Sequence, residues 1–94
     1  MNEENLKEKA KYIIEDRLEH ASRVTYAEMV SMNLNLPPEY QYRSVREIQT
    51  IMVKGAFDAL GFSVELGLFG KDEAADFWND LRERYKQLWP EKQA

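Results

Sequence analysis

Apolar residues recur every three or four positions along most of the chain, the spacing that places them on one side of an α-helix. The first such stripe predicts a helix from about Leu6 to His20. Its members are Leu6, Ala10, Ile13, Ile14 and Ala21, with Arg17 among them. Charged residues occupy the remaining positions, so we expect an amphipathic helix with one buried side.

Two capping boxes predict the starts of the next two helices. In Thr25–Glu28 and again in Ser44–Glu47, a hydroxyl oxygen accepts the amide N–H three residues later, and the glutamate reaches back. The helix that follows Thr25 is expected to end near Asn33, because Pro37 and the proline after it disfavour helix just ahead. Residues 34–43 are then a loop.

The helix that starts at Ser44 is predicted to be the central core helix. Its stripe consists of Val45, Ile48, Ile51, Met52, Gly55, Ala56, Ala59 and Leu60. Gly55 costs about 1 kcal/mol relative to alanine inside a helix, so its place on this stripe predicts the close approach of another backbone. Gly61 is expected to end the helix as a left-handed cap.

Residues 62–66 alternate apolar and polar side chains, which predicts a half-buried strand. Such a strand needs a partner, for which residues 40–42, residues 23–24 or the same strand of a second subunit are candidates. A last helix is expected to start after Asp72 and end at Pro90, with 91–94 as a free tail. Its apolar side comprises Ala74, Phe77, Trp78, Leu81, Tyr85, Leu88 and Trp89.

Together these elements predict one mostly α-helical domain over residues 1–94, with its core at about 5–89. The order of elements matches a small four-helix domain or a winged helix-turn-helix with one short strand or hairpin. In the winged form Phe62–Phe69 supplies the wing. An edge strand and a packed loop are the alternatives for this segment.

Composition narrows the function classes. The 94 residues contain no cysteine, which excludes disulfides, thiolate metal sites and a cysteine nucleophile, and favours the cytoplasm. No apolar run approaches the roughly 18 residues of a membrane span, so no membrane association is expected. The net charge of −4 leaves the domain without an overall basic patch, although residues 23–54 alone carry 4 − 3 = +1.

The chain carries no combination of residues that predicts catalysis. Its single histidine, His20, shares a helix side with Asp16, but two ligands do not make a metal site. The carboxylates of the last helix, Glu73, Asp76, Asp80 and Glu83, lie among polar and basic residues. Residues 67–72 lack the spacing of a phosphate-binding loop. We therefore expect a non-enzymatic protein with no cofactor, metal or small-molecule substrate.

Two short strings resemble a family of DNA-binding proteins. Arg23–Met29 reads R-V-T-Y-A-E-M and is similar to the R-V-T-T-Y-G-E-I of alkyltransferase and alkyltransferase-like proteins, and R-S-V from Arg43 is similar to their R-A-V. The resemblance covers about thirty residues, Arg23–Met52. The family's proline-cysteine-histidine-arginine motif is absent, so alkyl transfer is excluded.

This resemblance implies a regulatory winged helix that binds DNA. It places Arg43 and Arg46 near the DNA, with Tyr26 supporting a phosphate contact. The remaining DNA-binding candidates, Arg23, Gln49 and Lys54, supply charge and a polar outward side for the recognition helix.

The alternative is an acidic helical module that binds a protein. Its candidate interface residues are Tyr40, Tyr42, Trp78 and Trp89, because tyrosine and tryptophan often anchor interfaces. The two tryptophans also fit the core. Such a protein would be an inhibitor, an adaptor or a homodimerising subunit, of the kind common on phages and mobile elements.

Overall fold

A computed structural model describes residues 3–89 of the chain. Its helices are α1 (Glu3–Arg23), α2 (Tyr26–Asn33), α3 (Val45–Glu65) and α4 (Lys71–Arg84), with short 3-10 helices at Pro38–Tyr40 and Lys86–Leu88. The described residues contain no strand. The mostly helical prediction is therefore confirmed. The predicted free tail, 91–94, lies outside the described residues.

Helices α1 and α3 form a central antiparallel pair. The Gln49 side chain donates to the Ala21 carbonyl at 3.0 Å, and a Cβ at Gly55 would lie 3.8 Å from the guanidinium of Arg17. Later residues of α3 therefore lie beside earlier residues of α1. The buried core comprises Ile14, Leu18 and Ala21 of α1, Ala56 and Leu60 of α3, Ala74 and Leu81 of α4, and Phe69 and Leu88.

The predicted helix starts at Thr25 and Ser44 are confirmed. The Thr25 hydroxyl accepts the Glu28 N–H at 3.2 Å, and the Glu28 carboxylate accepts the Thr25 N–H at 3.1 Å. The Ser44 hydroxyl likewise accepts the Glu47 N–H at 3.1 Å. The Glu47 carboxylate, however, accepts the N–H of Arg43 at 3.3 Å, so the second box is closed one residue earlier.

The predicted strand and wing at residues 62–69 are wrong, because α3 continues through Gly61 to Glu65. The alternation of apolar and polar residues led to the wrong prediction of a strand. Ser63 is the buried residue, and its hydroxyl donates to the Ala59 carbonyl at 2.9 Å. Phe62 and Leu66 instead remain 60% exposed. Phe62 and Leu66 therefore do not mark the buried side of this segment, whereas Val64 packs against the core.

The left-handed cap that was predicted at Gly61 occurs at Gly67, where φ is +82°. The Leu68 N–H donates to the Ser63 carbonyl and the Gly67 N–H to the Val64 carbonyl, both at 3.0 Å. These two bonds are a Schellman motif, which ends α3 and turns the chain toward α4.

The N-cap of α4 is Gly70, two residues before the predicted cap Asp72. The Glu73 carboxylate accepts the Gly70 N–H at 3.4 Å, a bond that only an earlier start allows. The helix also ends at Arg84 rather than at Pro90. The chain leaves the α-helical conformation at the next residue and continues as the 3-10 helix of residues 86–88.

The molecule is thin, with extents of 43 × 36 × 19 Å. Ion pairs fix α4 over one side of the central pair: Lys7 with Glu73 at 3.0 Å and Arg84 with Glu15 at 2.6 Å. Since a helix with its side chains is about 10 Å across, 19 Å corresponds to two layers. Within residues 3–89, none of the helices has both the length and the apolarity required to cross a membrane.

Candidate protein-binding site

The C-terminal half of α3 and the facing side of α4 leave a groove of about 520 Å³ between them. It opens where the chain turns between the two helices, so both walls come from one helical hairpin. Most of the lining is apolar, and comprises Phe57, Leu60, Gly61, Val64, Ala74, Ala75 and Trp78, with Glu65, Lys71 and Asn79 at its margins.

Small residues keep this groove open. Gly61 has no side chain, and nothing lies within 4 Å of the position that a Cβ would occupy there. Ala74 and Ala75 face it from α4. Because short side chains cannot fill the space between the two helices, the apolar surface stays accessible.

Aromatic rings form the wall at the other end of the groove. Phe57 is 54% exposed and meets Trp78 edge-to-face, with ring centroids 5.1 Å apart. Trp78 in turn contacts Trp89 edge-to-face at 6.0 Å, and the guanidinium of Arg82 lies 5.2 Å from the centre of the Trp89 ring. Rings that support one another in this way give a rigid apolar anchor point.

Charges of both signs lie at the margins of the groove, because Lys71 lines it and several carboxylates surround it. Glu65 closes the α3 wall, while Asp72 lies on the same side of α4 as the lining residue Asn79, two turns away, and Asp76 lies one turn from it. None of these three carboxylates makes an ion pair within the described residues. Across residues 55–89 the chain has seven acidic and four basic residues, so the region around the groove is acidic.

Three of the six DNA-binding candidates form hydrogen bonds or an ion pair with other residues of the chain. The Arg46 guanidinium donates to the carbonyls of Leu88 at 3.0 Å and of Gln87 at 3.4 Å, which ties α3 to the end of the described chain. Gln49 caps a carbonyl of α1. Arg23 pairs with Glu19 at 2.6 Å.

The other three candidates are exposed and lie at separate places along the fold. Tyr26 is 70% exposed on α2, and Arg43 precedes the cap of α3. Lys54 follows Gln49 by five residues, which places the two side chains about 140° apart around α3. A single DNA-facing side of α3 that includes Gln49 and Lys54 is therefore not formed.

The four predicted interface residues separate into two groups. Trp78 lines the groove and Trp89 supports it, whereas Tyr40 is 69% exposed on the first 3-10 helix. The half-buried Tyr42 is fixed through its backbone, whose N–H donates to the Asn33 side chain at 2.8 Å and whose carbonyl accepts from it at 2.9 Å. The tyrosines thus belong to a loop held by Asn33, apart from the groove.

Sequence reasoning missed Phe57, Gly61 and Ala75 as site residues. Phe57 lies off the apolar stripe that predicted α3, and an aromatic residue on the polar side of a helix was a signal for a surface role. The two small residues carry no comparable signal, because their role depends on how far α3 and α4 diverge.

The titratable residues of α1 serve the packing of α4 and the residues that follow it. The Tyr85 hydroxyl donates to Glu19 at 2.8 Å and lies 3.3 Å from Glu15. Burial and the bond to Glu19 raise the pKa of Tyr85 to about 12, and the same bond lowers the pKa of Glu19.

The Nδ1 atom of His20 lies 3.3 Å from the carboxylate of Asp16. Residues 3–89 contain no group of three potential metal ligands.

No protein-family model matches this chain, and no match is found among curated proteins or solved structures. The function is therefore inferred from the shape, lining and charge of the groove.

Proposed function

We propose that this protein is a non-enzymatic interaction module that binds an apolar helical segment of a partner protein in the groove between α3 and α4. The observation that carries the proposal is an accessible apolar groove with an exposed aromatic anchor, Phe57. Amphipathic helices bind grooves of this kind through apolar side chains spaced three or four residues apart.

The length of the groove fits about two turns of such a helix. The α3 wall runs over nine residues from Phe57 to Glu65, and the eight helical rises of 1.5 Å between them give a length of about 12 Å. Two turns present anchors at positions i, i+3 or i+4, and i+7. The open space at Gly61 accommodates the central anchor, since no atom lies within 4 Å of its missing Cβ.

Charge defines the flanks of the expected partner. The unpaired carboxylates of Glu65, Asp72 and Asp76 favour lysine or arginine beside the apolar anchors. Burial of apolar surface supplies most of the affinity, at about 25 cal/mol per Å². These carboxylates mainly steer the encounter and add little affinity.

A synthetic fluorescent peptide tests this proposal. The probe is a 14-residue amphipathic helix with leucines on one side and lysines on the other, and its binding is followed by fluorescence anisotropy. We expect saturable binding that weakens when the lysines are replaced by glutamates. Because Trp78 lines the groove, its emission should change with the same midpoint.

The decisive variant is Gly61→Leu, because its side chain enters the groove without meeting any atom near the backbone. We expect it to weaken binding more than tenfold, while Gly55→Leu, on another side of α3, leaves binding unchanged. Equal binding by the Gly61→Leu variant would refute the groove. If the protein instead binds a generic DNA duplex at low salt, and Arg43→Ala weakens that binding, the DNA-binding hypothesis replaces this proposal.

A further inference from the structure

We propose that the side of the α1–α3 pair that faces away from α4 binds the same side of a second copy of this chain, giving a four-helix bundle. This self-association surface is defined by Leu6, Ile13 and Arg17 of α1 and Ile51, Gly55 and Phe62 of α3. It is separate from the groove and does not depend on the function proposed for it.

Helical spacing places these residues on the uncovered side. On α1, Ile13 lies about 160° around the helix from Glu15, which pairs with Arg84 of α4. On α3, Phe62 lies about 140° from Phe57, whose ring contacts Trp78 of α4. The side that carries Ile13 and Phe62 is thus turned away from the second layer.

The apolar residues of this surface are unusually accessible. Leu6 is 41% exposed, Ile13 48%, Ile51 53% and Phe62 60%. They form two short rows, because Leu6 and Ile13 are two turns apart on α1, while Ile51 and Phe62 are three turns apart on α3. Several exposed apolar side chains on one side of a helix pair mark an interaction site more often than single exposed side chains do.

Gly55 lies in the middle of the surface and has no reason to be glycine within one chain. Among the described residues, the flexible tip of Arg17, at 3.8 Å, is all that lies within 4 Å of the position that a Cβ would occupy there. Glycine costs about 1 kcal/mol inside a helix relative to alanine. The sequence predicted that a backbone approaches here, and no backbone of the described chain does. A helix of a second copy supplies that backbone.

The molecule as a whole is more extended, and exposes more surface, than a compact domain of the same size. A compact 94-residue domain has a radius of gyration of about 12.4 Å, and this chain has 15.2 Å. It exposes 6816 Å², whereas a folded monomer of 11.1 kDa exposes roughly 5,700 Å². The difference of roughly 1,100 Å² exceeds the ~800 Å² that each partner buries in a standard interface.

A twofold axis parallel to the helices makes this surface self-complementary. It places α1 of one copy antiparallel to α3 of the other, in the relation that the two helices already have within one chain. With the same register, Phe62 lies at the level between Leu6 and Ile13 of the second copy. Arg17 then lies beside Gly55 and one turn from Asp58 of that copy.

Charge supports a second copy as the occupant. Neither Arg17 nor Asp58 makes an ion pair within the described residues. The proposed twofold axis brings Arg17 of each copy within reach of Asp58 of the other copy, so the interface contains two such pairs. Such pairs fix register and partner choice more than they add affinity.

Sedimentation equilibrium on the full chain tests the proposal, from about 1 µM to 500 µM. We expect a mass that rises from 11.1 kDa toward twice that value. Phe62→Glu and Gly55→Leu should each raise the dimer dissociation constant more than tenfold. Gly61→Leu should leave it unchanged, which separates this surface from the groove. Circular dichroism checks that each variant is folded.

A charge exchange tests the symmetry itself. Arg17→Asp and Asp58→Arg should each weaken the dimer, and the double variant should restore at least half of the lost affinity. A chain that remains at 11.1 kDa throughout the concentration range overturns the proposal. So does a dimer that tolerates Phe62→Glu and Gly55→Leu but is lost in Gly61→Leu.

Discussion

Replacing Gly61 by alanine distinguishes the observed continuous helix from the cap that the sequence predicted at this position. In the structure, Gly61 is an interior residue of α3, exposed, with nothing within 4 Å of the added methyl group. The substitution therefore creates no clash. It only improves the helical preference of the residue and reduces the freedom of the unfolded chain.

The expected gain follows from these two effects. Alanine is about 0.8–1 kcal/mol more favourable than glycine in a helix interior. For a domain of this size, 1 kcal/mol corresponds to a rise in Tm of roughly 4–8 °C. Gly67→Ala is the matched control with the opposite sign, because its φ of +82° costs an L-residue about 1–2 kcal/mol.

Urea denaturation followed by far-ultraviolet circular dichroism measures both variants, at a single low protein concentration so that self-association does not contribute. A loss of stability in Gly61→Ala, comparable with that in Gly67→Ala, would mean that the chain takes a left-handed turn at Gly61. Helix α3 would then end there, and the groove that its last turn lines would not exist.

Two further measurements test the packing. Leu81→Ala should lower the free energy of unfolding by about 2–5 kcal/mol, because this side chain is fully buried. Leu34→Ala, at an 80% exposed position, should change it by less than about 0.5 kcal/mol. Equal effects of the two substitutions would contradict the core described here. Tyr85→Phe should cost about 1 kcal/mol near neutral pH. The pKa of Tyr85 in the folded protein is raised to about 12, so its contribution to the free energy of unfolding is present below pH 10 and is lost as the pH rises toward 12. The pKa of Glu19 is lowered in the folded protein, so its contribution to the free energy of unfolding is lost in acid, below the ordinary pKa of 4.5. Stability curves of the wild type and Tyr85→Phe that remain parallel across both ranges would contradict this clamp.

Local signals in the sequence predicted the starts of α2 and α3 well. The hydrogen bonds of Thr25 and Ser44 involve residues three positions away, so a short string contains nearly all the information that determines them. The end of α3 was predicted badly for the same reason. A two-residue and a 3.6-residue period both fit residues 62–66, and only packing against α1 and α4 selects the helical one.

The groove could be predicted only in part. Trp78 was identified from its residue type, but the groove itself results from how α3 and α4 pack against each other, which no local pattern encodes. The DNA-binding candidates illustrate the same limit. The sequence does not reveal that the guanidinium of Arg46 caps the carbonyls of Leu88 and Gln87.

The central pairing of α1 with α3 determines when the protein is able to fold during its synthesis. Helix α1 is complete at Arg23, but α3 ends at Glu65, about forty residues later. At roughly 5–20 residues per second, the ribosome needs about 2–8 s to make that stretch. During this interval Ile14 and Leu18 of the nascent chain have no α3 to cover them, and an isolated helix of this length is marginal in water. Folding therefore waits for α3 to leave the ribosome, and until then the apolar side of α1 is open to nascent-chain chaperones.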